Sequence, residues 1–191
     1  MGAISALRQG SRMLRNHELE SLPSYRAASR RVGLTSHQLL HTMKREYPDS
    51  PLVGVGAVVI EEGRVLLVKR GHPPLVGEWS IPGGVLELGE TLREAAVREA
   101  QEETCLTVET AELLGVYDRV LHDEAHCTLY HYVLIDFLCH RISGEPKAAG
   151  DADEVRWFTR AETVELGLME DTAEVVQLGF AKSEELREPP R

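Results

Sequence analysis

The sequence lacks a long apolar run, carries few cysteines and is short of basic charge. The longest uncharged apolar stretch, Leu52 to Ile60, is nine residues, less than half of the roughly 20 that a membrane-spanning helix needs. The three cysteines, Cys105, Cys127 and Cys139, cannot all pair with one another and form no CxxC. Cys127 and Cys139 each neighbour a histidine (His126, His140), but the spacing fits no familiar zinc site. They read as buried or half-buried free thiols of a reducing cytoplasm. There is no internal repeat and no low-complexity tract. The first 42 residues contain no continuous apolar core, which excludes a secretory signal peptide. They share the composition of an organelle transit peptide, and Met43 reads as a second start that would make the segment before it dispensable.

Lys and Arg number 21 against 31 Asp and Glu, a formal net charge of −10. The signs are unevenly placed. Residues 1–42 hold six Arg and two Glu, a net +4, and the remainder carries −14. A body of that charge repels a polyphosphate backbone, so no stable nucleic-acid binding is expected. Phosphate chemistry on such a surface calls for a cation as intermediary. The rest of the composition, 42% hydrophobic and 27% charged over 191 residues, excludes fibrous and wholly disordered classes. It suits one domain that buries about 70% of its unfolded surface.

Pro48 and Pro51 bracket a short linker, so residues 1–50 read as an extension and 51–191 as the domain. Val53–Glu61 and Arg64–Lys69 read as a hairpin about the Glu62-Gly63 turn. Residues 71–89 read as a glycine- and proline-rich loop with a short strand over 78–81. Glu90–Thr104, free of Gly and Pro, is the strongest helix, with Leu92, Ala95, Ala96 and Ala100 as its apolar stripe. Glu112–Leu121 and Thr128–His140 read as two longer strands and Val155–Phe158 as a short one. Residues 160–166 and 171–181 read as closing helices. Strands on either side of one central helix predict an α/β fold, a mixed sheet with helices on both faces.

The chemistry concentrates where the glycine-rich loop meets that helix. Glycine lets backbone approach a ligand closely, and a helix N-terminus favours anionic groups. On the helix, Glu99, Glu102 and Glu103 stand at i, i+3 and i+4 and share one face. Like charges so placed repel one another. Either solvent or a hard divalent cation that bridges to phosphate oxygens relieves them.

Gly84, Glu90, Arg98, Glu99, Glu102, Glu103 and Leu106 match seven fixed positions over 23 residues of the pattern Gly-x5-Glu-x7-Arg-Glu-U-x-Glu-Glu-x-Gly-U. The chain thereby resembles the Nudix hydrolases. Ala100 is small where the pattern has a bulky aliphatic residue, and Cys105 replaces the Gly that lets the chain leave the helix with a positive φ.

The resemblance implies an α/β/α sandwich and a hydrolase that cleaves a pyrophosphate linkage with Mg2+ or Mn2+. By position, Glu99, Glu102 and Glu103 are the implied metal ligands, Glu90 an outer carboxylate, and Gly83 a backbone carbonyl donor. Glu99 and Glu102 with Arg98, which orients the cluster, make up the implied catalytic set, with Glu154 of the later Asp151-Ala-Asp153-Glu154 segment as general base, ahead of Asp153. Arg70, Gly83 and Gly84 are the implied substrate contacts, and Trp79 is open between base stacking and core packing.

Tyr117, Arg119, His122, His126, Tyr130 and His131 lie on or between the two long strands, with none singled out for the pocket. The implied substrate is a small nucleotide, a nucleoside diphosphate derivative of ADP-ribose or sugar-nucleotide type. An oxidised nucleoside triphosphate is the alternative, and a non-catalytic metabolite sensor the rival from another class. The Pro that many ADP-ribose pyrophosphatases carry about fifteen residues after the motif is replaced here by Leu121-His122. Dimers are common in the family, so a homodimer is an open expectation, in the cytoplasm and without membrane attachment.

Overall fold

The structure, a computed structural model, describes residues 44–72 and 75–187. Most of the expected 1–50 extension, with Met43, lies outside the described residues. Within its described end, Tyr47 donates its backbone N–H to the Leu129 carbonyl at 2.8 Å, and the Tyr130 hydroxyl donates to Glu46 at 2.9 Å. Glu46 and Tyr47 thus contribute to the body rather than serving only as a linker.

Strand β1 (Leu52–Glu61) is buried along almost its whole length, as a Val-rich run without alternation predicts. It turns into β2 (Arg64–Arg70) through Glu62 and Gly63, both at positive φ (50° and 74°), the geometry of a tight two-residue hairpin. After the short β3 (Trp79–Ser80) and β4 (Gly83–Val85) comes helix α1 (Leu92–Thr104). A long antiparallel hairpin follows, β5 (Thr107–His122) and β6 (Thr128–Ser143). Strand β7 (Ala152–Thr159), a short α2 (Arg160–Glu165) and α3 (Glu170–Arg187) close the domain.

The strand order is β3-β2-β1-β6-β5, with β4 also on β1 and β7 also on β2. β1 and β6 run parallel and the other pairs antiparallel, so the sheet is mixed as expected. Each face has its own core. Val55, Ala57, Val59, Ile135, Phe137 and Cys139 meet the alanines of α1 on one side. Val58, Ile60, Leu138 and Phe158 meet Val175, Val176 and Phe180 of α3 on the other. Among the described residues no helix is long and apolar enough to cross a membrane.

Several boundaries differ from expectation for physical reasons. The helix starts two residues late because Thr91 caps it. Its hydroxyl accepts from the Glu94 N–H, and the Glu94 carboxylate accepts from the Thr91 N–H at 2.7 Å, a capping box that holds Thr91 itself extended. Residues 83–85, expected as loop, are held on β1 as β4. β5 begins at Thr107, five residues before the apolar alternation is evident. α3 runs on to Arg187 through a Lys- and Glu-rich last turn. Only Cys139 is buried; Cys105 and Cys127 are exposed, against the expectation of buried or half-buried thiols.

Candidate active site

Three fully buried alanines, Ala95, Ala96 and Ala100, seat α1 on the sheet. Small side chains there bring the helix close and leave its next face, with Glu99, Glu102 and Glu103, beside β4. Glu103 is 6% exposed, and its Oε2 accepts the Gly83 N–H at 3.0 Å. The contact made by Gly83 is through its N–H; its carbonyl, the expected donor, takes no part in this bond. Gly84 faces Glu99 so closely that a Cβ at position 84 would overlap the Glu99 carboxylate. Glycine is required there because the carboxylate fills the space.

Arg98 gathers the rest. Its Nε and Nη2 grip the two oxygens of Glu90 at 3.0 and 2.7 Å. Its Nη1 donates to Glu99 at 2.7 Å and to Glu102 at 3.3 Å, and Nη2 also reaches the Val85 carbonyl at 3.2 Å. Glu90 in turn accepts the Glu87 N–H at 2.7 Å, so one guanidinium ties loop, strand and helix together.

These bonds divide the carboxylates. Hydrogen bonding to Arg98 holds Glu90 below the ordinary Glu range. Burial pushes Glu99 up against the pull of Arg98. Glu103 is pushed up to about 7, chiefly by burial. The Gly83 bond and the Arg70 charge oppose that rise; Glu99 and Asp151 add to it. Glu102 has its side chain 57% exposed and borders an open groove of about 590 Å³ lined also by Arg93, Val97, Arg98 and Gln101.

Arg70 ends β2 near enough for its charge to be felt at Glu103. Trp79 packs edge-to-face on Phe158 at 4.8 Å, so its ring belongs to the core. Glu154 lies on β7 itself, paired with Lys69. The side chains of Val155 and Trp157 face the α1 core and that of Phe158 the α3 core. Alternation therefore puts Glu154 on the α3 face, where it pairs with Arg156 at 3.8 Å. The structure does not bring it to the helix carboxylates.

Asp151, which the sequence reasoning passed over, is brought closer. Lys147 and Ala149 donate backbone N–H groups to the carbonyls of Thr104 and Glu103 at 2.9 and 3.1 Å, clamping this loop to the end of α1. The Gly71 N–H holds the Asp151 carbonyl at 2.9 Å, and His72 meets its carboxylate at 3.5 Å. Asp153 sits against Gly71 at the bulge between Lys69 and Arg70. Only tertiary contacts single out Asp151; the sequence already places Asp153 second to Glu154.

Of the polar residues on the long hairpin, Arg119 bonds Asp171 at 2.6 Å and Tyr130 bonds Glu46. His126 occupies the hairpin turn at φ 60°. Cys105 caps α1 with φ 60° and ψ 13°, the left-handed conformation for which glycine is the usual residue.

A family model described as NUDIX domain matches residues 50–178. The chain belongs to the Nudix family. Among its relatives is the ADP-ribose pyrophosphatase of Methanocaldococcus jannaschii, 40% identical over 108 residues, which cover 56% of this chain and 62% of that protein. The chain thus spans under two thirds of that relative's length. A putative 8-oxo-dGTP diphosphatase 2 of Mycobacterium tuberculosis is 39% identical over 112 residues, covering 56% of this chain and 73% of that one. The crystal structure of a MutT NUDIX hydrolase from Burkholderia pseudomallei is 32% identical and superposes with a TM-score of 0.60 over 68% of this chain and 98% of its own.

The Nudix helix offers only oxygen donors, which suits a hard divalent cation. The buried Glu103, which accepts the Gly83 N–H, and Glu99 beside the bare Gly84 backbone fit such an ion. Among the described residues no group of three or more His, Cys, Asp or Glu converges on one point, because Arg98 draws Glu90, Glu99 and Glu102 toward itself while Glu103 turns to Gly83.

Proposed function

We propose that this chain hydrolyses the pyrophosphate linkage of a nucleoside diphosphate derivative, of ADP-ribose or sugar-nucleotide type, with Mg2+ or Mn2+. The observation that carries the reading is the carboxylate face of α1 locked to the Gly83–Gly84 backbone through Glu103 and ordered by the Arg98 fork. Glu99, Glu102 and Glu103 would hold the ion, with Glu90 as an outer partner, and it would supply neutralising charge for the diphosphate and lower the pKa of the attacking water.

Arg98 keeps Glu90 ionised, opposes the burial that raises Glu99, and orients both. The Glu103–Gly83 bond fixes the loop whose backbone the phosphates approach, with Arg70 near it. In the reaction a water oxygen bonds to one phosphorus. The bridging P–O bond breaks, and its electron pair leaves on the departing phosphate oxygen. The water proton passes to a carboxylate oxygen, for which Asp151 on the clamped loop replaces Glu154, because Glu154 sits on the far face of β7.

Hydrolysis of oxidised nucleoside triphosphates is the second reading, supported by the relative named for 8-oxo-dGTP. The cytoplasm is the proposed setting, in keeping with three free thiols. The test is turnover of a nucleotide panel with Mg2+ by the full chain and by Glu102→Gln. We expect turnover by the parent and a loss of orders of magnitude in a folded variant. Near-normal hydrolysis by Glu102→Gln would overturn the ligand assignment, and tight metabolite binding without turnover would favour a sensor.

A further inference from the structure

One carboxylate takes no part in the cluster on α1. Asp136 interrupts the apolar run of β6 and is 6% exposed. Across the sheet it pairs with Gly56 of β1 on one side and Gly115 of β5 on the other, and Gly56 pairs in turn with Gly83. Asp136 is thus the single side chain in a row of glycines that ends at the loop of the active site. A Cβ on Gly56 would overlap the Asp136 carboxylate and come within 2.5 Å of Ile81 Cδ1. A Cβ on Gly115 would come within 2.7 Å of the Tyr117 ring. Gly56 makes room for the Asp136 carboxylate beside Ile81, and Gly115 makes room for the Tyr117 ring.

Among the described residues no group is bonded to that carboxylate. Arg119, whose charge is felt at Asp136, spends its guanidinium on Asp171 at 2.6 Å and Thr172 at 3.4 Å. No side-chain oxygen among the described residues is both fully sealed and without a partner, so the Asp136 carboxylate, though buried, keeps a small opening. Burial raises its pKa to about 6, against the Arg119 charge and with that of Asp171. A buried acceptor without a donor is costly, and a ligand donor relieves it. Between the Asp136 and Gly83 backbones are two interstrand spacings, about 10 Å along the α3 face of the sheet, a distance that a nucleoside spans from base to phosphate.

We propose that Asp136 is a specificity-determining residue that reads the substrate base, its two oxygens accepting the adjacent ring N–H and amino N–H of a guanine-type base. A carboxylate is acceptor-only and accommodates paired donors. Adenine sets an amino donor beside a ring acceptor, which faces the second oxygen unfavourably. This inference rests on the nucleotide reading above and narrows it: the sugar-nucleotide arm, with guanine, is preferred over adenine.

The experiment compares guanosine and adenosine diphosphate sugars carrying the same sugar, using the full chain with Mg2+ and its Asp136→Asn variant. Asparagine keeps the shape but presents one donor and one acceptor, the complement of adenine. The parent is expected to favour guanine by roughly 10- to 100-fold, the range of one or two hydrogen bonds to a charged group. The variant is expected to lose that preference through KM rather than kcat. Equal losses on both bases, or an unchanged preference, would overturn the assignment. Calorimetric binding of guanosine and adenosine monophosphate without metal separates the two proposals. An Asp136-dependent preference for the guanine nucleotide in a protein that cleaves nothing sustains the role of Asp136 and sinks the hydrolase reading. Binding that ignores the base sinks Asp136 alone.

Discussion

Replacing Glu103 by Gln sets stability against activity at a single atom. The Glu103 carboxyl is pushed from the ordinary 4.5 to about 7, mainly by burial. The folded chain therefore holds this proton more tightly than the unfolded chain. Between pH 4.5 and 7 the native state binds more protons, so this group lowers stability as pH rises through that window and leaves it lowered above. At about 1.36 kcal/mol per pH unit the span corresponds to about 3 kcal/mol. Gln cannot ionise, and its Oε1 still accepts the Gly83 N–H. Glu103→Gln is thus expected to be more stable than the parent by up to about 3 kcal/mol at pH 8, a rise in Tm of about 6–12 °C for a domain of this size. The gain shrinks to under about 1 kcal/mol at pH 5. The assay is urea unfolding in the presence of a chelator at both pH values, with turnover measured alongside. Turnover should collapse while stability rises. No gain at pH 8, or the same gain at both pH values, would refute the claim that Glu103 is strained by burial.

Two further outcomes follow from the helix and its loop. Gly84→Ala places a methyl where the Glu99 carboxylate sits, so kcat should fall at least about 10-fold with an unchanged circular dichroism spectrum; retained kcat would show that Glu99 has room elsewhere. Cys105→Gly relieves a left-handed residue at the end of α1, worth about 1 kcal/mol before the larger chain entropy of glycine offsets part of it. Its urea midpoint should rise with the m-value unchanged, and a lower midpoint would mean that the cysteine is not strained.

Much of this site is written in local sequence, because its partners lie within one turn of a helix or one loop. Glu99, Glu102 and Glu103 share one helix face, with Arg98 beside it, through helical periodicity alone, and the Arg98–Glu90 grip spans only eight residues. The Cys105 dihedral was legible for the same reason, since a helix end in that register calls for a left-handed residue. What stayed illegible depends on chain segments far apart. β4 is three residues long and exists only because β1 offers it a ladder, so no local pattern announces it. The side to which Glu154 points depends on where β7 begins. An acidic stretch that reads as a loop gives no parity, and the strand in fact starts at Ala152. Asp151 is set by hydrogen bonds to the end of α1 and to Gly71. Asp136 left a visible trace, a charge inside Val-Leu-Ile-Asp-Phe-Leu, but its glycine neighbours are on other strands.

The parallel ladder between β1 and β6 also governs the order in which the molecule can assemble. It joins residues 52–59 to residues 132–139, so it closes a loop of about eighty residues, and such long-range closure delays folding more than it weakens the folded state. β4 hangs on that same β1 strand, and the Gly83–Glu103 bond hangs on β4. On the proposed function, turnover is expected to recover late in refolding, after helical circular dichroism, and so to report when the central strand finds its partner.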